Sequence, residues 1–179
     1  MNFEQSRTYG NLQNAFHGEM IASTLYELFG DKARDEGYIE IANIFDITSR
    51  NEKEHARIWQ RRLNNGVLPE TEQNLARSSE LEIAAADIYR DYAQIAREEG
   101  FADIAALFNG VANIELNHDL RFRSLYDDVV RGQVFCKPGE TLWVCMACGN
   151  ILNGICAPEI CPVCLFPQGY YRVYDTAVD

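Results

Sequence analysis

The sequence predicts a mainly α protein: a four-helix bundle over residues 1–132, followed by a small β module stapled by metal over residues 133–179. Three observations predict it. Proline is absent before Pro69 and again until Pro138, across a region rich in Ala, Leu, Ile, Glu and Arg. Within that region the chain repeats itself at an offset of 63 residues. All six cysteines then crowd between Cys136 and Cys164.

The helices come first. Apolar residues recur at helical spacing, as at Ile41, Ile44 and Phe45 and again at Ile104, Ala105, Phe108, Val111 and Ala112. Gly37, Gly66, Gly100 and Gly132 stand where helix C-termini would need a left-handed residue. Helices are therefore expected at about residues 6–36, 38–64, 72–99 and 101–131. Between the second and third, residues 65–71 reach only about 23 Å when fully extended. That is too short to span a bundle unless neighbouring helix ends unwind, so the sequence leaves this connection open.

From Gln133 the texture changes. Pro138, Pro158, Pro162 and Pro167 interrupt any helix, and Thr141–Val144 and Tyr170–Tyr174 suggest short strands. About 40 residues bury little core, so such a module needs a staple.

Apolar residues make up 47% of the chain and charged ones 24%, the balance of a soluble folded protein. The formal charge is −11, so an anionic phosphate backbone or membrane surface would be repelled. No run approaches the roughly 20 apolar residues of a membrane span, and the first residues lack the pattern of a secretory signal. The expected location is the cytoplasm, with no nucleic-acid or membrane partner. Cysteines there stay reduced, so six of them call for an explanation other than disulfides.

The 63-residue repeat points to chemistry. It lays Lys32-Ala33-Arg34-Asp35-Glu36-Gly37-Tyr38 over Ile95-Ala96-Arg97-Glu98-Glu99-Gly100-Phe101, a match that packing and turn formation explain. Packing does not explain Glu52-x-x-His55 falling on Glu115-x-x-His118, or Glu19 falling on Glu82. Glu and His three apart share one helix face, with Cβ atoms about 5–6 Å apart. Two such pairs plus one Glu from each remaining helix make four carboxylates and two imidazoles, the recurring ligand set of di-iron and di-manganese bundles. A single Glu-x-x-His is ordinary on a solvated face; two at matching repeat positions are not. His17 has no counterpart in the repeat and is expected at the surface. Tyr26 and Tyr89 follow the ligand glutamates by two turns, as partners of those carboxylates or as core residues.

Cys145-x-x-Cys148 and Cys161-x-x-Cys164 are separated by twelve residues. Two such knuckles make a tetrahedral four-thiolate site that suits one iron or zinc. A redox-active dithiol would use one pair in a different context. Cys136 and Cys156 lie outside the pairs and are expected as free, partly buried thiols.

With these motifs in this order, the chain resembles the rubrerythrins, from Phe3 to Tyr174. The resemblance rests on the Glu19 helix, both Glu-x-x-His motifs, the Ala96–Phe101 run, and Cys-x-x-Cys-Gly followed by Cys-Pro-x-Cys. It implies a ferritin-like bundle with two iron ions per chain on Glu19, Glu52, His55, Glu82, Glu115 and His118. It further implies a rubredoxin-like domain with one iron on Cys145, Cys148, Cys161 and Cys164, where zinc is the alternative. The implied activity is reduction of hydrogen peroxide to water in oxidative-stress defence. Electrons would come from NAD(P)H through a separate reductase or a rubredoxin, and the implied assembly is a homodimer. The alternatives are an O2-reducing oxidase or ferroxidase of the ferritin-like type, and a non-catalytic protein with zinc on its cysteines. One departure stands out: rubrerythrins usually carry a second glutamate three residues after the first on the third helix, and here that residue is Ala85. The segment is also one residue shorter than usual, so a six-ligand site without a π-turn is expected near residues 82–88.

Overall fold

The computed structural model describes residues 2–175. It contains four long helices: α1 (Arg7–Asp35), α2 (Ile39–Leu63), α3 (Thr71–Glu98) and α4 (Ala102–Val130). Three strands follow: β1 (Cys136–Cys145), β2 (Ile151–Cys156) and β3 (Tyr171–Val173). The order is the expected one, and the helix limits fall within a residue or two of those read from the sequence. The chain divides into two compact units, Met1–Pro69 and Glu70–Asp179.

In the first unit α1 and α2 form a helical hairpin. Ser6 caps α1, its hydroxyl accepting from the Tyr9 amide at 3.1 Å. At the other end Gly37 takes φ +85°, and the Tyr38 amide reaches back to the Ala33 carbonyl at 2.8 Å. This closure turns the chain straight into α2. The seam between the helices is made of small residues. Gly30 packs so closely that an added Cβ would lie 2.9 Å from Asp46, whose carboxylate accepts from Arg34 at 2.7 Å. Ala33, Ala42 and Ala56 are buried along the seam, and Ser23 and Ser49 exchange hydrogen bonds across it.

The second unit repeats this design. Gly100 has φ +90°, the Phe101 amide bonds the Ala96 carbonyl at 2.8 Å, and Ala86, Ala93, Ala105 and Ala112 are buried between α3 and α4. One polar cluster is peculiar to this hairpin. The buried Asp119 accepts from Ser79 at 2.5 Å and from Arg123 at 2.9 Å.

Each hairpin thus buries alanine and leaves its large apolar residues open. Phe29, Ile41 and Ile44 are 46%, 47% and 56% exposed, and their repeat counterparts Tyr92, Ile104 and Leu107 are 48%, 41% and 69% exposed. No helix among the described residues is long and apolar enough to cross a membrane.

The strands form one antiparallel sheet in the order β2-β1-β3. Its small core is Trp143, Cys145, Ala157, Cys161 and Tyr171. The sequence placed β1 and β3 but missed β2. The pairing also overturns the expectation of free thiols at Cys136 and Cys156. These two residues lie directly opposite each other on β1 and β2 and form a disulfide. Cross-strand register, invisible to a linear reading of spacing, brings them together.

Candidate metal centres

The six predicted bundle ligands come together as two clusters of three, one in each hairpin. Glu19 on α1 meets Glu52 and His55 on α2; Glu82 on α3 meets Glu115 and His118 on α4. Within each cluster the donor atoms all lie within 4.8 Å of one another. His55 Nδ1 is 2.8 Å from Glu52 Oε2 and 3.7 Å from Glu19 Oε2. His118 Nδ1 is 2.9 Å from Glu115 Oε2 and 3.4 Å from Glu82 Oε2. Donors bound at about 2.0–2.2 Å around one cation sit at separations of this order, so each cluster fits one ion of a carboxylate–imidazole pair.

Both clusters are half-buried at their carboxylates and open at their imidazoles, with His55 50% and His118 41% exposed at the side chain. Their electrostatics differ. Hydrogen bonds with His55 and then Glu19 hold the Glu52 carboxyl below its ordinary range. The Glu82 carboxyl is pushed up, first by its hydrogen bond with Glu115, then by burial and the charge of Glu115, with His118 pulling the other way.

Three further expectations concern the neighbourhood of the clusters. α3 is α-helical without a π-turn across residues 82–88, and the cluster at Glu82 holds no further Asp, Glu, His or Cys among the described residues. Tyr26 and Tyr89 stack on Phe45 and Phe108 at ring-centroid distances of 6.1 and 6.0 Å. Both tyrosines are half-buried, and the stacking repeats at the 63-residue offset. His17 is exposed. Sequence reasoning missed Trp59, whose indole N–H donates to Glu19 Oε1 at 3.5 Å. Its signal was available: Trp59 lies one turn after His55 on the same face of α2.

In the β module the four paired cysteines converge. Cys145 Sγ is 3.7 Å from Cys164 Sγ, and Cys148 Sγ is 3.8 Å from Cys161 Sγ. A metal–sulfur bond of about 2.3 Å implies a tetrahedron edge of about 3.8 Å, so the sulfurs already stand at the corners of a four-thiolate site. Each knuckle turns through a left-handed residue, Gly149 at φ +76° in the first and Leu165 at φ +64° in the second. Backbone amides then bond sulfur: Asn150 to Cys148, Phe166 to Cys164, and Cys164 with Val163 to Cys161.

Tyr171 and these amides draw the Cys161 thiol down to about 6. The Phe166 amide also favours the Cys164 thiolate, but burial and three neighbouring thiols outweigh it and push that group up to about 12. The four sulfurs, brought within reach of one another, are the donor set expected of a cation site. Cys145 and Cys161 are fully buried, whereas Cys148 is exposed.

Comparison with known proteins agrees with this geometry. Residues 10–71 and 73–142 match the sequence profile described as rubrerythrin, and residues 143–172 match the one described as rubrerythrin, rubredoxin-like domain. The chain is 39% identical to the rubrerythrin of Clostridium perfringens, over 94% of this chain and 95% of that protein. It is 37% identical to the rubrerythrin of Porphyromonas gingivalis, over 96% and 92%. With rubrerythrin-1 of Clostridium acetobutylicum it shares 34%, over 94% of both chains.

Proposed function

This chain belongs to the rubrerythrin family of di-iron and rubredoxin-like oxidoreductases, and on that premise we propose that it reduces hydrogen peroxide to water. The observation that carries the proposal is the pairing of two Glu2His clusters at repeat-related positions with a four-cysteine site on the same chain. In this reading Glu19, Glu52 and His55 would hold one iron, and Glu82, Glu115 and His118 would hold the other. An iron pair held there would supply the two electrons that the reduction H2O2 + 2 H+ + 2 e− → 2 H2O requires.

The protein's own groups shape the rest. Four carboxylates balance the charge of two divalent ions, and two imidazoles complete the set. The Trp59 indole holds Glu19 in orientation through its hydrogen bond. Cys145, Cys148, Cys161 and Cys164 would hold a third iron through four sulfurs that the fold already brings together. Reorganisation there is small, which suits one-electron relay from an NAD(P)H-dependent reductase or a rubredoxin. The acidic chain, at −11, fits a donor with a basic patch. A cytoplasmic role in oxidative-stress defence and a homodimeric assembly belong to the same reading. Ile21, Leu25 and Leu28, one strip along α1, are 61%, 42% and 58% exposed and are available for such a contact.

A second reading is favoured by one observation. With Ala85 in place of a seventh carboxylate and an uninterrupted α3, the six-ligand set also suits an O2-reducing oxidase or ferroxidase. Anaerobic, fully reduced protein mixed in single turnover with H2O2 or with O2 separates the two. Faster oxidation by peroxide is the expected result, and faster oxidation by O2 establishes the second reading in its place.

A further inference from the structure

We infer that the Tyr171 hydroxyl, aimed by Asn150, donates a hydrogen bond to the Cys161 sulfur when the four-cysteine site holds iron, and so raises the reduction potential of that site. The inference rests on the assignment of iron to those cysteines made above. It adds a positioning residue from outside the ligand set.

Two orphaned atoms carry it. Among the described residues, Asn150 Nδ2 and Tyr171 Oη are buried and find no hydrogen-bond partner. Tyr171 as a whole is 3% exposed. A buried polar group without a partner is unfavourable, so two of them in one small module need a reason.

The strands put both atoms beside the sulfurs. Tyr171 on β3 stands opposite Cys145 on β1, and it shares the core of the module with Cys145, Cys161 and Trp143. Its neighbour Tyr170 accepts from the Met146 amide at 2.8 Å, which fixes this strand against the first knuckle. Asn150 closes that knuckle. Its carbonyl accepts from the Cys145 amide at 2.9 Å, and its own amide bonds the Cys148 sulfur. The polar neighbours of the Tyr171 hydroxyl are the Cys161 sulfur and the Asn150 side chain.

Counting donors and acceptors sets the direction of the bonds. Asn150 Nδ2 can only donate, whereas a phenol oxygen accepts one bond and donates its own proton. If Asn150 donates to Tyr171 Oη, the tyrosine proton has the Cys161 sulfur as its acceptor. A thiolate is a far better acceptor than a thiol. A loaded site therefore satisfies both orphans in one chain, from Asn150 Nδ2 to Tyr171 Oη to Cys161 Sγ.

Such a bond acts on the electron. A four-thiolate iron site carries one more negative charge when ferrous than when ferric, and its sulfurs share that charge. A proton donor at sulfur thus stabilises the ferrous form more and raises the potential. Cys161 is fully buried, where low dielectric leaves the bond unscreened. Cys148 is exposed and can take its bonds from water instead. The hydroxyl serves the sulfur that water does not reach, and it makes the site easier to reduce by the donor that feeds it.

The test uses the full-length, iron-loaded protein in a redox titration followed at the sulfur-to-iron absorption band. Tyr171→Phe keeps the ring in the core and removes the proton donor alone. It should shift the equilibrium about tenfold toward the ferric form, a fall of about 59 mV for one electron. Asn150→Ala should move it the same way by a smaller factor, because the hydroxyl loses the donor that orients it.

A fall of more than about twofold in the Tyr171→Phe equilibrium supports the inference; a smaller change, or a rise, overturns it. A Tyr171→Phe protein that keeps its circular dichroism and loses its iron overturns it too, since the hydroxyl would then hold the site and not tune it. Should Tyr171→Phe fail to fold, Asn150→Ala decides: a lowered potential supports the chain of bonds, and an unchanged one overturns it. Wild-type protein with no iron on its cysteines refutes the assignment itself, which metal analysis shows before any titration begins.

Discussion

His118 Nδ1 lies 2.9 Å from Oε2 of Glu115, one turn earlier on α4, and the same relation joins His55 to Glu52 at 2.8 Å. Each pair is a ready two-donor grip that a single substitution releases. Glu115→Ala is expected to reduce bundle iron from about two per chain to nearly none. The red colour of the cysteine-bound iron should remain, because no residue of that site is touched. Metal analysis with the visible spectrum checks this, and loss of both metals would contradict it.

Cys161→Ser should do the reverse. Cys161 is buried and stands 3.8 Å from Cys148 across the site, so its loss opens a corner that water cannot fill with a thiolate. The expected protein is colourless at the sulfur-to-iron band, keeps its bundle iron, and turns over peroxide slowly with artificial donors but not through a reductase. Retention of reductase-driven turnover would show that electrons bypass the cysteine site.

Asp119 is expected to matter for stability. Its carboxylate is 7% exposed and takes the Ser79 hydroxyl at 2.5 Å and the Arg123 guanidinium at 2.9 Å. Asp119→Ala should destabilise the protein by about 1–3 kcal/mol, mostly through the buried Ser79 bond. Arg123 is 57% exposed, and solvent screens its share. Chemical denaturation checks the midpoint, and an unchanged midpoint would place the bond among the energetically neutral ones.

The Cys136–Cys156 disulfide predicts a thiol count. Protein denatured with a chelator and no reductant should show four free thiols, rising to six after reduction. Six at the outset would mean that the cross-strand pair stays reduced.

The helices were legible because their signals are local. Gly37 and Gly100 close α1 and α3 with the same left-handed turn, and apolar residues recur at helical spacing after each. The ligands were legible because the repeat superimposes them: Glu19 on Glu82, and Glu52-x-x-His55 on Glu115-x-x-His118. Tyr171 and Asp119 were not, since each earns its role from a partner 10 or 40 residues away. Tyr171 is the instructive case. Its hydroxyl is buried without a well-formed hydrogen bond among the described residues, and burial followed by the Cys161 sulfur pushes it up to about 12.

By itself, then, the sequence determined which residues could hold metal and which segments would be helical, because both follow from spacing along one chain. Tertiary structure alone decided that the ligands gather three to a hairpin, that Cys136 faces Cys156, and that the end of α2 is sealed by Asn64–Val67. These depend on strand register, helix packing and the hydrogen bonds of a turn. They are relations between residues that no periodicity encodes.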